Sequence, residues 1–395
     1  MNGIRQLFLG PFWMSLLFFL LFAGPFLFES RSALINMLDV LYTVPGLILF
    51  SGRVRAVWTQ LRPASMFIAL FSAWCALSAF WSDSPNISRV VRASLELVAM
   101  ALILSELYRL SPERLIGAMQ AASMALCGVL LLVVLSFYSQ NPLTAPLYHA
   151  PAEMWFGLPM KHPIMSTFVL LCPLSVLAMS VAQEFHGPRR AALLVGAVTI
   201  ALSIVLMQRR TGFVAMTGGL AFFVLVVGFR SRWILVAAGA LILSGGLFYL
   251  LDVGGFASKG SNLRFQIWSE YVGLASNSPV LGHGLSAKPE VVTVMRDAVP
   301  VVIAHPHNML LPTFYYPGLP GLFCLSLIWG RLLWRIVTTR LSAHAAVLCA
   351  PLVPGIIALQ FDGAFPLVPY HSNWMVLWLP IILAAIGLAR ESEKT

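Results

Sequence analysis

Residues 191–229 read AALLVGAVTIALSIVLMQRRTGFVAMTGGLAFFVLVVGF, which is two apolar runs joined by a short turn that contains Arg209 and Arg210. Each run approaches the roughly 20 apolar residues that an α-helix needs to cross the hydrocarbon core of a bilayer. Because the backbone polar groups of a spanning segment must be satisfied within that segment, we expect two antiparallel transmembrane helices here. Similar apolar runs recur along the whole chain.

The composition excludes an ordinary soluble protein, because 59% of the residues are hydrophobic and only 10% are charged. The net charge of +10 is expected to orient the loops of a membrane protein, so we predict no nucleic-acid partner. The first apolar run, about 8–28, is too long for a cleaved leader and is interpreted as the first span. The five cysteines lie within apolar runs and predict no disulfide framework. We therefore predict a single integral membrane domain over residues 1–395.

The predicted fold class is an all-α polytopic membrane protein with about twelve transmembrane helices. A large outer loop, about 252–307, separates the ninth and tenth of these spans. The spans are placed near 10–28, 34–51, 64–81, 90–108, 114–137, 163–183, 191–207, 211–229, 233–251, 308–330, 342–360 and 373–389.

The distribution of basic residues predicts the orientation of the chain. If the N-terminus is cytoplasmic, the inner loops hold fifteen of the 25 Lys and Arg residues. Short cytoplasmic loops are enriched in Lys and Arg, so both termini are assigned to the cytoplasm.

The turn with Arg209 and Arg210 is an exception, because it lies on the outer face, where basic residues should be scarce. We interpret the pair as the binding site of an anionic ligand. The alternatives are that the span count is wrong by one in this region, or that the two side chains reach outer lipid headgroups.

The large outer loop is predicted to contain amphipathic helices that form part of an active site. Asn262 can cap a helix whose apolar face carries Phe265, Trp268, Tyr271 and Ala275. This pattern is typical of a helix that lies on the membrane surface. A second short helix is predicted from about Pro289 to Asp297.

Arg264 lies near the start of the first of these helices, where free backbone N–H groups and the helix dipole favour an anion. Its planar guanidinium donates to two phosphate oxygens at once, so we predict a phosphate site. The alternative is a loop arginine that pairs with Glu270 or with lipid headgroups.

His305 and His307 precede the tenth span, and in an extended segment both side chains point the same way. A neutral imidazole is the usual general base near pH 7, although such a pair is often structural. The histidines have no accompanying metal-binding motif, and the outer acidic residues are scattered, so we predict no metal and no cofactor. On the fourth span, Arg92 and Glu96 are expected to pair. The sequence offers no partner for Asp39 or Asp362.

Several motifs occur in an order that resembles the O-antigen ligase family of bacterial envelope glycosyltransferases. Arg210-Thr211-Gly212 opens a span, Arg264 and Trp268 lie in the long outer loop, and His307-Asn308 is followed after nine residues by Gly318-Leu319-Pro320-Gly321. The segments Ser278–Gly284 and Trp81–Pro85 are also similar to recurrent segments of such ligases.

The resemblance implies transfer of a polysaccharide from undecaprenyl pyrophosphate to lipid A core at the periplasmic face of the bacterial inner membrane. It implies that Arg210 and Arg264 bind the pyrophosphate, that His307 activates the acceptor hydroxyl, and that Trp268 and Asn308 lie at the substrate. Arg209 is adjacent to Arg210 and is expected to assist in binding the pyrophosphate. His305 lies two residues before His307, and which of the two histidines is the base stays open.

Two alternatives to a ligase remain from the sequence. An O-antigen or exopolysaccharide polymerase of the same superfamily would use the same type of donor. A transporter or flippase of lipid-linked sugar is less compatible, because many twelve-span transporters have related halves and a long cytoplasmic central loop. Here the long loop is on the outer face and the halves look unrelated.

Overall fold

The computed structural model describes residues 2–28, 30–62, 64–83, 86–142, 145, 147, 163–184, 187–227, 263–288, 291–296, 299–303, 305–370 and 372–392. The described helices are α1 Asn2–Phe8, α2 Pro11–Leu27, α3 Arg31–Leu38, α4 Val44–Phe50, α5 Val54–Gln60, α6 Ala64–Ser78, α7 Ile87–Leu110, α8 Pro112–Tyr138, α9 Pro163–Gln183, α10 Pro188–Leu206, α11 Arg210–Val227, α12 Arg264–Ser276, α13 Leu310–Tyr315, α14 Gly318–Thr338, α15 Ala343–Cys349, α16 Leu352–Leu359 and α17 Ser372–Ser392; the strands are β1 Val292–Arg296 and β2 Val299–Ile303.

The protein is an all-α polytopic membrane protein, as predicted. In the described part of the chain, seven helical segments are long and apolar enough to cross a membrane, and two shorter apolar helices accompany them. The predicted spans coincide with described helices, except that the span at 233–251 lies outside the described residues. The tenth span begins at Gly318 and not near 308, because α13 forms a separate short helix and the chain turns at Gly318 with a φ of 71°.

Two helices form the centre of the bundle. Within the apolar windows of α9 and α17, 78% and 89% of the residues are buried, compared with 33–39% in the other long apolar helices of the described residues. Indole rings fill the space around α17, where Trp374 and Trp378 are fully buried. The outer helices leave large apolar side chains such as Leu132 and Leu135 exposed, which is the surface expected to face lipid.

The segment Ser278–Gly284, which follows α12, packs tightly onto the turn between α13 and α14. The backbone N–H groups of His283 and Gly284 donate to the carbonyls of Tyr315 and Tyr316 at 2.8 and 2.9 Å. Gly282 has a φ of 68°, and a Cβ at this position would collide with the Tyr316 carbonyl oxygen. Only glycine combines that backbone conformation with so close an approach.

Ser82 and Ser78, at and just before the described part of the Trp81–Pro85 motif, bind the residues that follow Gly284. Ser82 is buried, and its hydroxyl oxygen accepts a hydrogen bond from the backbone N–H of Ser286 at 3.1 Å. The hydroxyl of Ser78, one helical turn earlier, accepts from the N–H of Leu285 at 3.2 Å. The recurrent Trp-Ser segment therefore anchors the loop, and nothing in these contacts requires it to touch a substrate.

The predicted second helix at 289–297 is wrong, because β1 and β2 form an antiparallel hairpin that pairs Val292 with Ile303. The hairpin contains a run of β-branched residues, which favour strands because their χ1 angles are restricted in helices. Its buried residues Val292 and Val294 pack against Ile267 and Tyr271 of α12. The predicted first helix is present as α12, but Leu263 stands at its N-cap, without a side-chain cap. Asn262, the predicted cap, lies outside the described residues.

We predict that Gly282→Ala lowers the free energy of unfolding by about 2 kcal/mol or more, because it adds backbone strain to a steric clash. Gly273→Ala is the matched control, since a Cβ at this helical position meets nothing within 4 Å and alanine favours helices. Thermal unfolding of the detergent-solubilised variants measures both effects. Equal unfolding temperatures for the two variants would contradict the role given to this turn.

Candidate active site

Strained backbone conformations occur at or next to the predicted site residues Arg210, Arg264 and His307. Gln208, Leu263 and His307 have φ angles of 50°, 58° and 51°, and they are the non-glycine residues with positive φ in the described part of the chain. Such a conformation costs about 1–3 kcal/mol and persists only where surrounding contacts enforce it. Gln208 precedes Arg209 and Arg210, and Leu263 precedes Arg264. The strain therefore coincides with the side chains that the sequence selects for chemistry.

His307 contacts a carboxylate that the sequence did not identify as part of the site. Its Nδ1 lies 3.2 Å from Oδ1 of Asp362, whose side chain is only 4% exposed. The same oxygen accepts a hydrogen bond from the backbone N–H of Gly363 at 2.9 Å. A carboxylate on one ring nitrogen fixes the orientation of an imidazole and stabilises its protonated form. Asp362 is 55 residues from His307, and no spacing rule joins them.

Asn308 fastens the histidine to the segment that carries Asp362. Its side-chain Nδ2 donates to the Gln360 carbonyl at 3.1 Å, and its Oδ1 accepts from the N–H of Leu310 at 2.8 Å. The backbone N–H of Met309 donates to the Leu359 carbonyl at 2.7 Å. The amide of Asn308 thus positions the site, and its predicted contact with substrate stays a prediction.

Trp268 supports the same segment from α12. Its indole Nε1 donates to the carbonyl of Pro306 at 2.9 Å, immediately before His307. The ring is half-buried and packs against the small apolar layer formed by α12 and the hairpin. Trp268 follows Arg264 by four residues, which is about one helical turn. The same face of α12 therefore carries the arginine and the tryptophan that binds the segment before His307.

Arg264 is the first residue of α12, and its guanidinium lies 5.6 Å from the centre of the Phe361 ring. Burial lowers the pKa of Arg264 below its ordinary value; the Asp362 carboxylate opposes this change, and the charge of Arg210 adds to it. An arginine remains charged despite such a shift. Asp362 and Arg210 therefore both lie within electrostatic range of Arg264.

Arg210 is the first residue of α11, which packs against α16. The two helices approach closely, since a Cβ at Gly219 would lie 2.8 Å from the ring of Pro354. The electrostatic interaction of Arg210 with Arg264 places the start of α11 close to the start of α12. The Nε and Nη2 atoms of Arg210 are shielded from solvent. Arg209 is half-buried beside it, and its carbonyl accepts from Phe213.

His305 completes a cluster of three possible metal ligands. Its ring centre lies 4.0 Å from that of His307, and ligand atoms of His305, His307 and Asp362 all lie within 4.8 Å of one another. This donor set is compatible with zinc or iron. However, Arg264 lies within electrostatic range of Asp362, and Arg210 lies within range of Arg264. Positive charge so near to the cluster disfavours a divalent cation.

These features define a class: a multi-span membrane protein with a His–Asp pair beside two arginines at one end of its helix bundle. Residues 195–326 match the family described as O-Antigen ligase. Over 94% of its length the chain is 25% identical to an O-antigen ligase of Pseudomonas aeruginosa strain PAO1, and the match covers 88% of that protein. The chain is therefore similar to the O-antigen ligase family over this segment and to one such ligase over most of its length. The matched segment contains Arg210, Arg264 and His307, whereas Asp362 lies beyond it.

The expectation of no metal gives a testable prediction. Because the nearby guanidinium groups oppose a divalent cation, we expect glycan transfer by the purified protein to be unchanged after dialysis against EDTA. Elemental analysis of the dialysed protein checks that the chelator has removed any bound metal. Activity that disappears with EDTA and returns with Zn²⁺ or Mn²⁺ would make His305, His307 and Asp362 metal ligands instead.

Proposed function

We propose that the protein transfers a glycan from undecaprenyl pyrophosphate to lipid A core at the periplasmic face of the inner membrane. Similarity to the O-antigen ligase family supports a membrane-embedded envelope transferase. The observation that carries the finer proposal is the 3.2 Å contact of His307 with Asp362 beside the charges of Arg264 and Arg210. This arrangement combines a base with the cations that a diphosphate leaving group requires.

In this proposal His307 is the general base. The imidazole takes the proton of an acceptor hydroxyl as the hydroxyl oxygen bonds to the anomeric carbon of the donor sugar. Asp362 holds Nδ1, so Nε2 is the nitrogen that receives the proton, and the carboxylate stabilises the imidazolium that forms. Attack from the face opposite the leaving group inverts the anomeric configuration, and no covalent enzyme intermediate is required.

Arg210 and Arg264 act on the leaving group. As the bond from the anomeric carbon to the pyrophosphate oxygen breaks, its electron pair passes to the pyrophosphate, and charge accumulates between the two guanidinium groups. Cations that are already in place stabilise this charge without reorganisation. The neighbouring carboxylate of Asp362 limits the repulsion between the arginines before the donor binds. Arg209 adds positive charge at the same helix end.

The orientation of the chain follows from the same proposal. Arg210, Arg264 and His307 lie at one end of the bundle, and the connections and helix ends at the other end carry basic residues such as Arg62, Arg114 and Arg340. The positive-inside rule assigns that other end to the cytoplasm. Both termini are then cytoplasmic, and the reaction takes place in the periplasm, where lipid A core and the exported donor meet.

We predict that Arg210→Ala and Arg264→Ala each reduce transfer by about a hundredfold or more, which is typical when one stabilising donor is removed from a transition state. A deletion strain carrying either variant should show bare lipid A core on a lipopolysaccharide gel. Arg114→Ala, an exposed arginine at the other end of the bundle, is the control and should restore O-antigen. Normal O-antigen with both site variants would exclude the pyrophosphate clamp.

The deletion strain also distinguishes a ligase from a polymerase. Loss of a ligase leaves bare core while lipid-linked polymer accumulates. Loss of a polymerase leaves core that bears a single repeat, and this pattern would assign the protein to the polymerases of the superfamily.

A double-mutant cycle tests the His–Asp pair. We predict that His307→Ala lowers kcat by about 100- to 10,000-fold, and that Asp362→Asn, which can keep the bond from Gly363, lowers it by at least tenfold. If Asp362 acts through His307, the double variant should be no slower than His307→Ala alone. His305→Ala should retain more activity than His307→Ala. The opposite order of the two histidine variants would transfer the role of base to His305.

A further inference from the structure

The chain makes a closed turn just after α12 and exposes two large apolar side chains there. The backbone N–H of Gly282 donates to the Ser278 carbonyl at 2.9 Å, and the Ser278 hydroxyl donates to the Gly282 carbonyl at 2.9 Å. Val280 and Leu281 lie between these two residues, and their side chains are 58% and 50% exposed. We call Pro279, Val280 and Leu281 the apolar tip. The hydrogen bonds hold the turn closed, so the exposure of the tip is built into the backbone.

The apolar tip lies against the first residues of α14, a helix that is long and apolar enough to cross a membrane. The backbone N–H of Leu319 donates to the Pro279 carbonyl at 2.8 Å. Gly318 packs so closely on the tip that a Cβ there would collide with the Val280 carbonyl oxygen. These backbone contacts fix the tip at the end of a spanning helix.

α14 carries an exposed apolar stripe along its whole length. Leu319, Phe323, Trp334 and Val337 are all exposed, and their spacing places them on one face of the helix. On a spanning helix such a stripe is the surface that meets lipid. Its first residue, Leu319, is the one whose backbone N–H binds Pro279. The apolar tip therefore continues the lipid-facing surface of α14 beyond the first turn of that helix.

Two tryptophans at the end of α6 mark the same level of the membrane. Trp74 donates from its indole Nε1 to the Pro317 carbonyl at 2.5 Å, immediately before α14. Its ring centre lies 5.7 Å from that of Trp81, and the next residue, Ser82, accepts from the N–H of Ser286 at 3.1 Å. Tryptophan is enriched where the apolar core of a bilayer meets the headgroups. The segment with the apolar tip is thus bound to two spanning helices at this boundary.

The sequence around the apolar tip has no permanent charge. Between Glu270 and Lys288 there is no Asp, Glu, Lys or Arg. Charged side chains near the start of α7 are instead paired with one another: Arg92 lies 2.6 Å from Asp39 and 3.4 Å from Glu96, which confirms the predicted pair of Arg92 with Glu96. A charge is costly in the apolar part of a bilayer. An uncharged tip therefore suits contact with lipid.

We infer that the apolar tip enters the bilayer and packs Val280 and Leu281 against lipid acyl chains, at the level where α14 begins. The occupant is lipid because the tip is continuous with the lipid-facing stripe of α14 and lacks charge. The sequence predicts this membrane contact for α12, but Tyr271 and Ala275 of the predicted face are buried within the protein. The inference requires the spanning helices and not the proposed transfer reaction, so each can fail without the other.

An anchored tip holds the proposed base at a constant depth in the membrane. Gly282, next to the tip, packs on the carbonyl of Tyr316, which follows α13 directly. α13 begins at Leu310, three residues after His307. The contacts from lipid to the tip, from the tip to the end of α13 and from α13 to the histidine segment are therefore continuous.

The test is fluorescence quenching with the full-length protein in vesicles of phosphatidylcholine and phosphatidylglycerol. Leu281→Cys is labelled with nitrobenzoxadiazole, and part of the phosphatidylcholine carries a nitroxide quencher near the headgroup end of an acyl chain. Iodide in the buffer quenches probes that face water. The unmodified protein, treated with the same label, measures the background from the half-buried Cys324; the other four cysteines are buried.

We expect the probe at Leu281 to lose its fluorescence with the lipid nitroxide and to be shielded from iodide. Phe323→Cys, on the lipid-facing stripe, is the positive control and should behave in the same way. Ser269→Cys and Lys288→Cys replace exposed polar residues on either side of the tip. Probes at these two positions should be quenched by iodide and not by the lipid nitroxide.

Two results would overturn the inference. Quenching of the Leu281 probe by iodide, without quenching by lipid, would place the tip in water. Shielding from both quenchers would show that protein covers the tip, either another part of the chain or a second copy. Val280→Cys gives an independent reading at the same turn if Leu281→Cys does not fold. Quenching of the Phe323 probe by lipid shows in every case that the protein is inserted.

Discussion

The pairing of residues 307–309 with residues 359–363 is the contact on which the proposed site depends. These segments are distant in sequence, yet the Met309 N–H donates to the Leu359 carbonyl at 2.7 Å and the Asn308 amide donates to the Gln360 carbonyl at 3.1 Å. Because these bonds fix both backbones, the His307 imidazole meets the Asp362 carboxylate without any further adjustment. Gly363 lies so close to Met309 that a Cβ would approach it to 3.0 Å. A shift of either segment would separate the proposed base from its carboxylate.

Backbone strain is the cost of this arrangement, and the loop contacts offset it. A positive φ at His307 costs about 1–3 kcal/mol, while each of the hydrogen bonds that hold its neighbours contributes about 1 kcal/mol. Trp268 adds a bond to Pro306 on the other side of the histidine. These hydrogen bonds therefore stabilise a backbone conformation at His307 that a free chain would rarely adopt, and they fix the orientation of its imidazole. This is expected where a reaction requires a preorganised base.

The helices could be predicted from the sequence because a bilayer requires long apolar runs, and these are visible in the printed chain. Arg264 and His307 could be selected because their residue types suit phosphate binding and proton transfer. Asp362 could not, because its partner lies 55 residues away and the packing of α11 on α16 is not encoded in any local spacing. A helix at 289–297 is predicted because Pro289 suits a first helical turn, but the structure has the hairpin of β1 and β2 here. The β-branched residues of these two segments favour strands.

Residues 361–365 contact Arg264, His307 and Arg89 in turn. The Phe361 ring lies 5.6 Å from Arg264, and the Phe365 ring lies 5.1 Å from Arg89. Between these two rings, Asp362 contacts His307. One short connection therefore sets the spacing of Arg264, the proposed base His307 and Arg89. If both substrates are anchored in the membrane, they approach along its plane, and only their headgroups need to be aligned. A short connection can align the headgroups without a domain movement, because it holds Arg264 and Arg89 against the same helix bundle.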